Sequence, residues 1–173
     1  MHDLIVTADG PGATKGWAHW GERRFRCALG RSGIRADKRE GDGATPVGRF
    51  PLRKVLFRPD RAKTGIGNLP WVPIAPHHGW CDAPDDIAYN RAVHLPYPAS
   101  HERLWRDDHL YDLVLVIGHN DDPVVPGLGS AVFVHLAHDD YRPTEGCVAF
   151  ARADLETILA ALAPDDHIVI LAP

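Results

Sequence analysis

Hydrophobic and polar positions alternate along much of the chain with the period of two that half-buried β-strands show. Residues 24–29 read Arg-Phe-Arg-Cys-Ala-Leu, so that every second side chain is apolar, and with residues 17–20 they predict a hairpin around Gly21 and Glu22. The most apolar segments predict strands at the centre of a sheet. Further strands are predicted at 4–6, 48–57 and 167–171, and the two central ones at 114–117 and 131–135.

Helical patterning is confined to two places. Residues 152–162 carry leucine and isoleucine at i, i+3, i+4 and i+7, acidic residues near the start and Pro164 after the end, which predicts an amphipathic helix. Ser100 is a candidate N-cap for a shorter helix that would run to Trp105. The balance of patterns predicts a mainly β domain with one or two short helices.

Residues 58–96 show no sustained period and are rich in Pro, Gly and aromatic residues. A long segment without regular structure is usually functional or disordered, and aromatic side chains favour order because they need a surface to cover. We interpret this segment as a capping loop beside the functional site. The alternative is an ordered insertion that only covers the sheet.

Composition predicts one compact domain over residues 1–173, since 45% of the residues are hydrophobic and 24% are charged. The net charge of −4 gives no general attraction to nucleic acid or to anionic membranes. One basic stretch, residues 23–40, is interpreted as a solvated strand and turn, or alternatively as a rim that steers acidic substrates. No apolar run reaches membrane-spanning length, and residues 1–9 lack the apolar core of a signal peptide.

Residues 134–150, Val-His-Leu-Ala-His-Asp-Asp-Tyr-Arg-Pro-Thr-Glu-Gly-Cys-Val-Ala-Phe, combine a base with a nucleophile. A cysteine attacks carbonyl carbon as thiolate, so Cys147 needs a proton acceptor, an electropositive setting and access to solvent. His135 is the candidate base, and the helix predicted from Arg152 would add a favourable dipole. Gly146 lacks a β-carbon, so the amides of Gly146 and Cys147 can approach an oxyanion closely. We expect the Glu145 side chain to point away from the sulfur, because a carboxylate would oppose ionisation of the thiol.

This arrangement resembles the L,D-transpeptidase family, or YkuD-like domain, whose signature is a His followed by Ser/Thr-x-Gly-Cys. The match is His135, Thr144, Gly146 and Cys147. A second motif lies at residues 41–50, Gly-Asp-Gly-Ala-Thr-Pro-Val-Gly-Arg-Phe, and a third piece of similarity at 114–120 and 126–130. The resemblance implies a YkuD-like mixed β-sandwich or barrel-like domain that occupies nearly the whole chain.

The resemblance also implies roles for further residues. The backbone carbonyl of Leu136 would orient the catalytic histidine. Many members carry Arg or Asn two positions after the cysteine, where this chain has Ala149, so Arg142 or Arg152 would have to contact a substrate carboxylate instead. Thr144 is a further candidate for substrate binding. His119 follows the strand predicted at 114–117, so it is either a substrate-binding residue or a hydrogen-bonded loop histidine.

The implied partners are peptidoglycan stem peptides, with carbapenem β-lactams as covalent inhibitors and no cofactor. The family implies the periplasm or cell envelope, whereas a chain without a leader would be cytoplasmic. We therefore expect a peptidoglycan L,D-transpeptidase that forms a cysteine thioester and makes cross-links of the 3-3 or the 1-3 type.

Two alternatives remain at this point. One is an L,D-carboxypeptidase or amidase that uses the same cysteine. The other is a non-catalytic envelope or metal-binding module, for which His77, His78 and Cys81 are the only suggestive cluster, and that cluster lacks a fourth ligand. Cys27 and Cys81 are either a disulfide pair or plain buried thiols.

Overall fold

The computed structural model describes residues 2–63 and 65–173; Met1, at one end of the predicted domain, and Thr64, inside the predicted capping loop, lie outside the described residues. In chain order the elements are β1 (Asp3–Ala8), β2 (Lys15–Trp20), β3 (Arg23–Ala28), β4 (Ile34–Arg35), β5 (Thr45–Pro46), β6 (Gly48–Phe57), β7 (Trp71–Pro73), β8 (His78–Cys81), β9 (Ala92–His94), β10 (His101–Arg103), β11 (Leu113–Ile117), β12 (Phe133–Leu136), β13 (Val148–Phe150), α1 (Arg152–Ala161) and β14 (His167–Ile170).

The main sheet closes on itself. Its nine strands follow the order β11-β12-β13-β3-β2-β1-β14-β6-β7, and β11 also pairs with β6, which joins the two sides. Most neighbours are antiparallel, but three pairs are parallel: β1 with β14, β12 with β13 and β6 with β7. The prediction of a mainly β, barrel-like domain is therefore confirmed. β11 and β12 are fully buried, but a closed sheet has no central strand, because closure removes the edges.

The alternating patterns form strands where they were predicted. The hairpin of β2 and β3 turns at Gly21, whose φ of 59° suits a tight turn. On β3, Phe25 and Cys27 enter the main core, whereas Arg26 turns outward to pair with Asp9. Hydrophobic burial of one face thus explains why this segment is a strand.

The predicted helix is confirmed, and α1 ends within a residue of the expected boundary. Leu155, Ile158 and Leu159 on its apolar face are buried in the main core together with Leu162. Within the described residues, no helix is long and apolar enough to span a membrane.

The short helix predicted from Ser100 to Trp105 is wrong. Residues of this segment form β10, which pairs antiparallel with β8 in a three-stranded sheet with β9. The N–H of Asp82 donates to the carbonyl of Ser100 at 3.1 Å and extends the pairing. A one-turn helix has little stability of its own, so hydrogen-bonded pairing with β8 outweighs the preference of Ser100 for a helix N-cap.

The segment 58–96 also contains more regular structure than its pattern indicated. β7 adds to β6, and β8 and β9 belong to the small sheet. Trp80 of β8 packs edge-on against Phe133 of β12, with ring centroids 5.0 Å apart, and buried Tyr89 donates to Glu40. The aromatic residues thus fix this segment to the barrel wall, and its role as a cap stays a prediction.

All three cysteines, Cys27, Cys81 and Cys147, are free and buried. Cys27 and Cys81 are therefore packed as small apolar side chains, which matches one of the two interpretations of the sequence.

The apolar face of α1 provides a test of the packing. We expect Leu155→Ala to lower the free energy of unfolding by about 2 to 5 kcal/mol, because Leu155 is fully buried and the truncation leaves a cavity. Urea denaturation measures the change. Ala160→Ser on the exposed face of the same helix is the matched control, with an expected change below about 0.5 kcal/mol. Equal effects of the two substitutions would contradict the described burial.

Candidate active site

The parallel pairing of β12 and β13 brings the two halves of the His/Cys motif together. His135 is the register partner of Ala149, and Cys147 precedes Ala149 by two residues, so the two side chains lie on the same face of the sheet. Both residues line one cavity of about 380 Å³. The fold therefore presents a thiol and an imidazole to a common space.

Cys147 is less accessible than the sequence suggested, with 7% of its surface exposed. Its Sγ accepts the N–H of Phe133 and donates to the carbonyl of Ala131, each at 3.3 Å. Burial raises the pKa of the Cys147 thiol to about 12, and the nearby Glu102 charge acts in the same direction. At neutral pH the resting group is the thiol, contrary to the expected electropositive setting.

His135 is buried and held in one orientation. Its Nδ1 lies 2.8 Å from the Leu136 carbonyl oxygen. Because a carbonyl can only accept, Nδ1 carries the proton and Nε2 keeps its lone pair. The Tyr111 ring packs edge-on against the imidazole at 5.2 Å. Burial lowers the pKa of His135 to about 4, so the imidazole is neutral near pH 7 and able to accept a proton.

The Thr144–Cys147 turn is fixed by its own side chain. Thr144 Oγ1 donates to the Cys147 carbonyl at 2.7 Å and accepts the Gly146 N–H at 3.1 Å. Gly146 has a φ of 137°, and a β-carbon there would lie 2.8 Å from the Ala44 carbonyl oxygen. Only glycine fits this close approach without strain. An oxyanion bound by the Gly146 amide would have to replace its bond to Thr144.

The second motif, residues 41–50, lies directly behind this turn. Ala44 contacts Gly146 as described, and Thr45 Oγ1 accepts the N–H of Gly30 at 2.8 Å. Gly30 in turn forms a parallel bridge with Thr144. The two motifs are thus parts of one structure, in which the upstream segment supports the nucleophile turn.

The helix dipole expected at Cys147 is not available there. β13 lies between the cysteine and α1, which begins only at Arg152, and the dipole effect falls off within the first turn. Glu145 points away from the sulfur as expected: its side chain is 78% exposed and pairs with Arg31 at 2.9 Å.

The other predicted site residues separate into two groups. Arg142 and Thr144 line the cavity, and Arg142 pairs with exposed Asp140. Arg152 pairs with buried Asp112 and lies on a different cavity. His119 also lies elsewhere, with its Nε2 3.1 Å from the Leu128 carbonyl oxygen.

Further charged residues complete the cavity wall. Lys38, Arg106 and Glu102 are among them, and Glu102 accepts the Tyr111 hydroxyl at 2.7 Å. Burial raises the pKa of Glu102 although the Tyr111 hydrogen bond opposes the shift. Lys38 belongs to the basic stretch 23–40, for which a rim beside the site was one interpretation, whereas no local pattern assigned Arg106 and Glu102 to the site.

The histidines of the suggestive metal cluster pack against one another. His77 stacks on His94 at 5.0 Å, and His78 Nδ1 accepts the N–H of Ala75 at 3.1 Å. Among residues 2–63 and 65–173, no group of three or more His, Cys, Asp or Glu side chains is arranged to hold a metal ion.

The protonation states of the site predict its reactivity toward alkylation. Because only thiolate reacts and the Cys147 pKa is about 12, we expect the rate of carboxamidomethylation by iodoacetamide to rise about tenfold per pH unit between about pH 7 and 10. Mass spectrometry of the Cys147 peptide separates this label from reaction at Cys27 and Cys81. A plateau below about pH 8 would instead show a thiolate–imidazolium pair at rest.

Comparison with known proteins agrees with the resemblance found in the sequence. The family model described as YkuD, the L,D-transpeptidase catalytic domain, matches residues 14–170. No match was found among curated proteins or among solved structures. The match spans nearly the whole chain and includes both motifs, so the protein belongs to the L,D-transpeptidase (YkuD) catalytic domain family.

Proposed function

We propose that the protein is a cysteine-dependent peptidoglycan L,D-transpeptidase. The observation that carries this proposal is the pairing of Cys147 with a neutral, Nδ1-protonated His135 on one face of β12 and β13. Family membership supports an enzyme of the envelope that acts on peptidoglycan. The chemistry of the buried pair supports nucleophilic acyl transfer.

In the first step Cys147 Sγ attacks the carbonyl carbon of an L-configured residue in a stem peptide, while His135 Nε2 takes the thiol proton. The carbonyl oxygen becomes an oxyanion, for which the Cys147 amide and, after exchange of its bond to Thr144, the Gly146 amide are the backbone donors. Collapse breaks the peptide bond, His135 gives its proton to the departing amine of the C-terminal residue, typically D-Ala, and a thioester remains.

In the second step an amine from a neighbouring stem attacks the thioester carbon. His135 accepts the amine proton and the cysteine sulfur leaves, so the new peptide bond is a cross-link of the 3-3 or the 1-3 type. If water attacks instead, the same acyl-enzyme gives an L,D-carboxypeptidase or amidase. The two activities differ only in how well the cavity excludes water and positions the acceptor.

The charges of the cavity wall suit a substrate that carries both signs. Lys38, Arg106 and Arg142 line it together with Glu40 and further carboxylates. Stem peptides carry carboxylates and amines. Ala149 offers no contact to a carboxylate, so we assign this role to Arg142, whose exposed side chain lies at the cavity, rather than to Arg152, which pairs with Asp112.

Acylation by a carbapenem tests the nucleophile and the base. We expect a mass increase of one drug molecule, because the thiolate opens the β-lactam to form a thioester. Cys147→Ala should abolish the adduct, and His135→Gln should slow its formation by about 100-fold or more. Cys81→Ala is the control, since Cys81 is buried in β8 and is not among the residues that line the cavity. An unmodified wild-type protein would favour the non-catalytic alternative.

Product analysis on disaccharide-peptides distinguishes transpeptidation from hydrolysis. Cross-linked dimers in the wild-type reaction, absent with Cys147→Ala, are the expected result. Trimmed monomers without any dimer would assign the protein as a carboxypeptidase instead.

A further inference from the structure

Lys38 is the one Lys or Arg of the basic stretch 23–40 that is buried. The stretch was expected either as a solvated strand and turn or as a rim that steers acidic substrates, yet only 8% of the Lys38 surface is exposed. It lines the same cavity as Cys147 and His135. An ammonium group is costly to bury unless a partner or a function compensates.

Two glycines lie along this side chain. A β-carbon at Gly146 would lie 3.6 Å from Lys38 Nζ, and a β-carbon at Gly129 would lie 3.0 Å from Lys38 Cε. Both glycines have positive φ. The lysine stem therefore runs between two positions without side chains, and its ammonium group ends beside the turn that carries the oxyanion donors.

Asp42 of the second motif fixes the ammonium group. Its Oδ1 accepts Lys38 Nζ at 2.5 Å and the Ala44 N–H at 2.8 Å, and its Oδ2 accepts the Arg39 N–H at 2.7 Å. Burial alone would raise the pKa of Asp42, but these hydrogen bonds outweigh it and lower the pKa. An ammonium group has three donors, and Asp42 uses one of them.

A cation beside Cys147 would oppose the unfavourable electrostatics of the reactive groups. Cys147 and His135 are both uncharged at rest, Glu102 adds negative charge, and α1 begins too far away to contribute. Anionic charge that develops at the sulfur or the carbonyl oxygen is therefore opposed by burial. Lys38 and the Phe133 N–H are the groups that act on Cys147 in the stabilising direction.

We propose that Lys38 is a further catalytic residue of this site. Its ammonium group donates to the oxyanion formed when Cys147 attacks, and its charge stabilises the sulfur anion that leaves in the second step. This role rests on the proposed acyl transfer. The rival role is a salt bridge to Asp42 that only holds the turn of residues 38–46.

Alkylation of Cys147 by iodoacetamide tests the charge without any peptidoglycan substrate. We expect Lys38→Met to lower the rate constant at every pH from about 7 to 9 by about threefold, because a raised thiol pKa reduces the thiolate fraction while partly increasing its nucleophilicity. Lys38→Arg should stay within about twofold of wild type, and Lys63→Met, which removes an exposed lysine, should change nothing. A wild-type rate for Lys38→Met would overturn the proposal.

Asp42→Asn separates the two roles, since it breaks the salt bridge but keeps the lysine charge. We expect its alkylation rate to equal or exceed that of wild type, whereas a fall that matches Lys38→Met would overturn the proposal in favour of the structural role. Thermal unfolding and circular dichroism check that each variant is folded, and Lys38→Gln replaces Lys38→Met if the latter is not.

Carbapenem acylation tests the oxyanion contact. Iodoacetamide displacement forms no oxyanion, so Lys38→Met should slow acylation by about 10- to 100-fold, more than it slows alkylation. Equal decreases in the rates of acylation and alkylation would contradict a contact between Lys38 and the oxyanion. If wild type is not acylated at all, the proposed function fails, while the alkylation series still shows whether the Lys38 charge acts on the sulfur.

Discussion

Parallel pairing between β12 and β13 is the constraint on which the rest of the site depends, because it puts Cys147 and His135 on one face of the sheet, where both line the same cavity. Side chains alternate along a strand, so a register slip of one residue would send the thiol and the imidazole to opposite faces of the sheet. β12 also pairs with β11, and β13 with β3, so neither β12 nor β13 lies at an edge of the sheet. The closed sheet thus fixes the register that puts the two side chains on one face.

Packing on the outer face of the barrel has an electrostatic consequence. Cys147 lies in a second hydrophobic cluster outside the main core, and Tyr111 of that cluster packs on His135. Burial raises the pKa of Cys147 and lowers that of His135, so both groups are uncharged at rest. In the proposed mechanism, charge appears only during the reaction and is stabilised by hydrogen-bond donors near the sulfur. The segment 38–46 packs beside these groups: the Ala44 carbonyl lies against the Gly146 backbone, and Asp42 binds the Lys38 ammonium group. Two motifs that are distant in sequence therefore pack together around the Gly146–Cys147 turn.

Local patterns predicted the hairpin of β2 and β3 and the helix α1, because burial of one face produces apolar residues at a fixed period along the chain. The patterns failed where a segment pairs with a strand that is distant in the sequence. The segment from Ser100 to Trp105 looked helical but became β10, since β8 offered a ladder. The strands within 58–96 were missed for the same reason: each is too short to show a period, and their pairing is tertiary.

The sequence by itself determined the nucleophile and base as candidates and a mainly β domain, because these follow from residue types at close spacing, and the resemblance of its motifs implied the family and the barrel-like class. Tertiary structure decided the protonation states and which charged side chains line the cavity. Arg152, near the cysteine in the chain, pairs with Asp112, whereas Lys38, remote in the chain, lies at the Gly146 turn. Burial and distance govern the energy of a charge in a protein, and only the packed chain sets them.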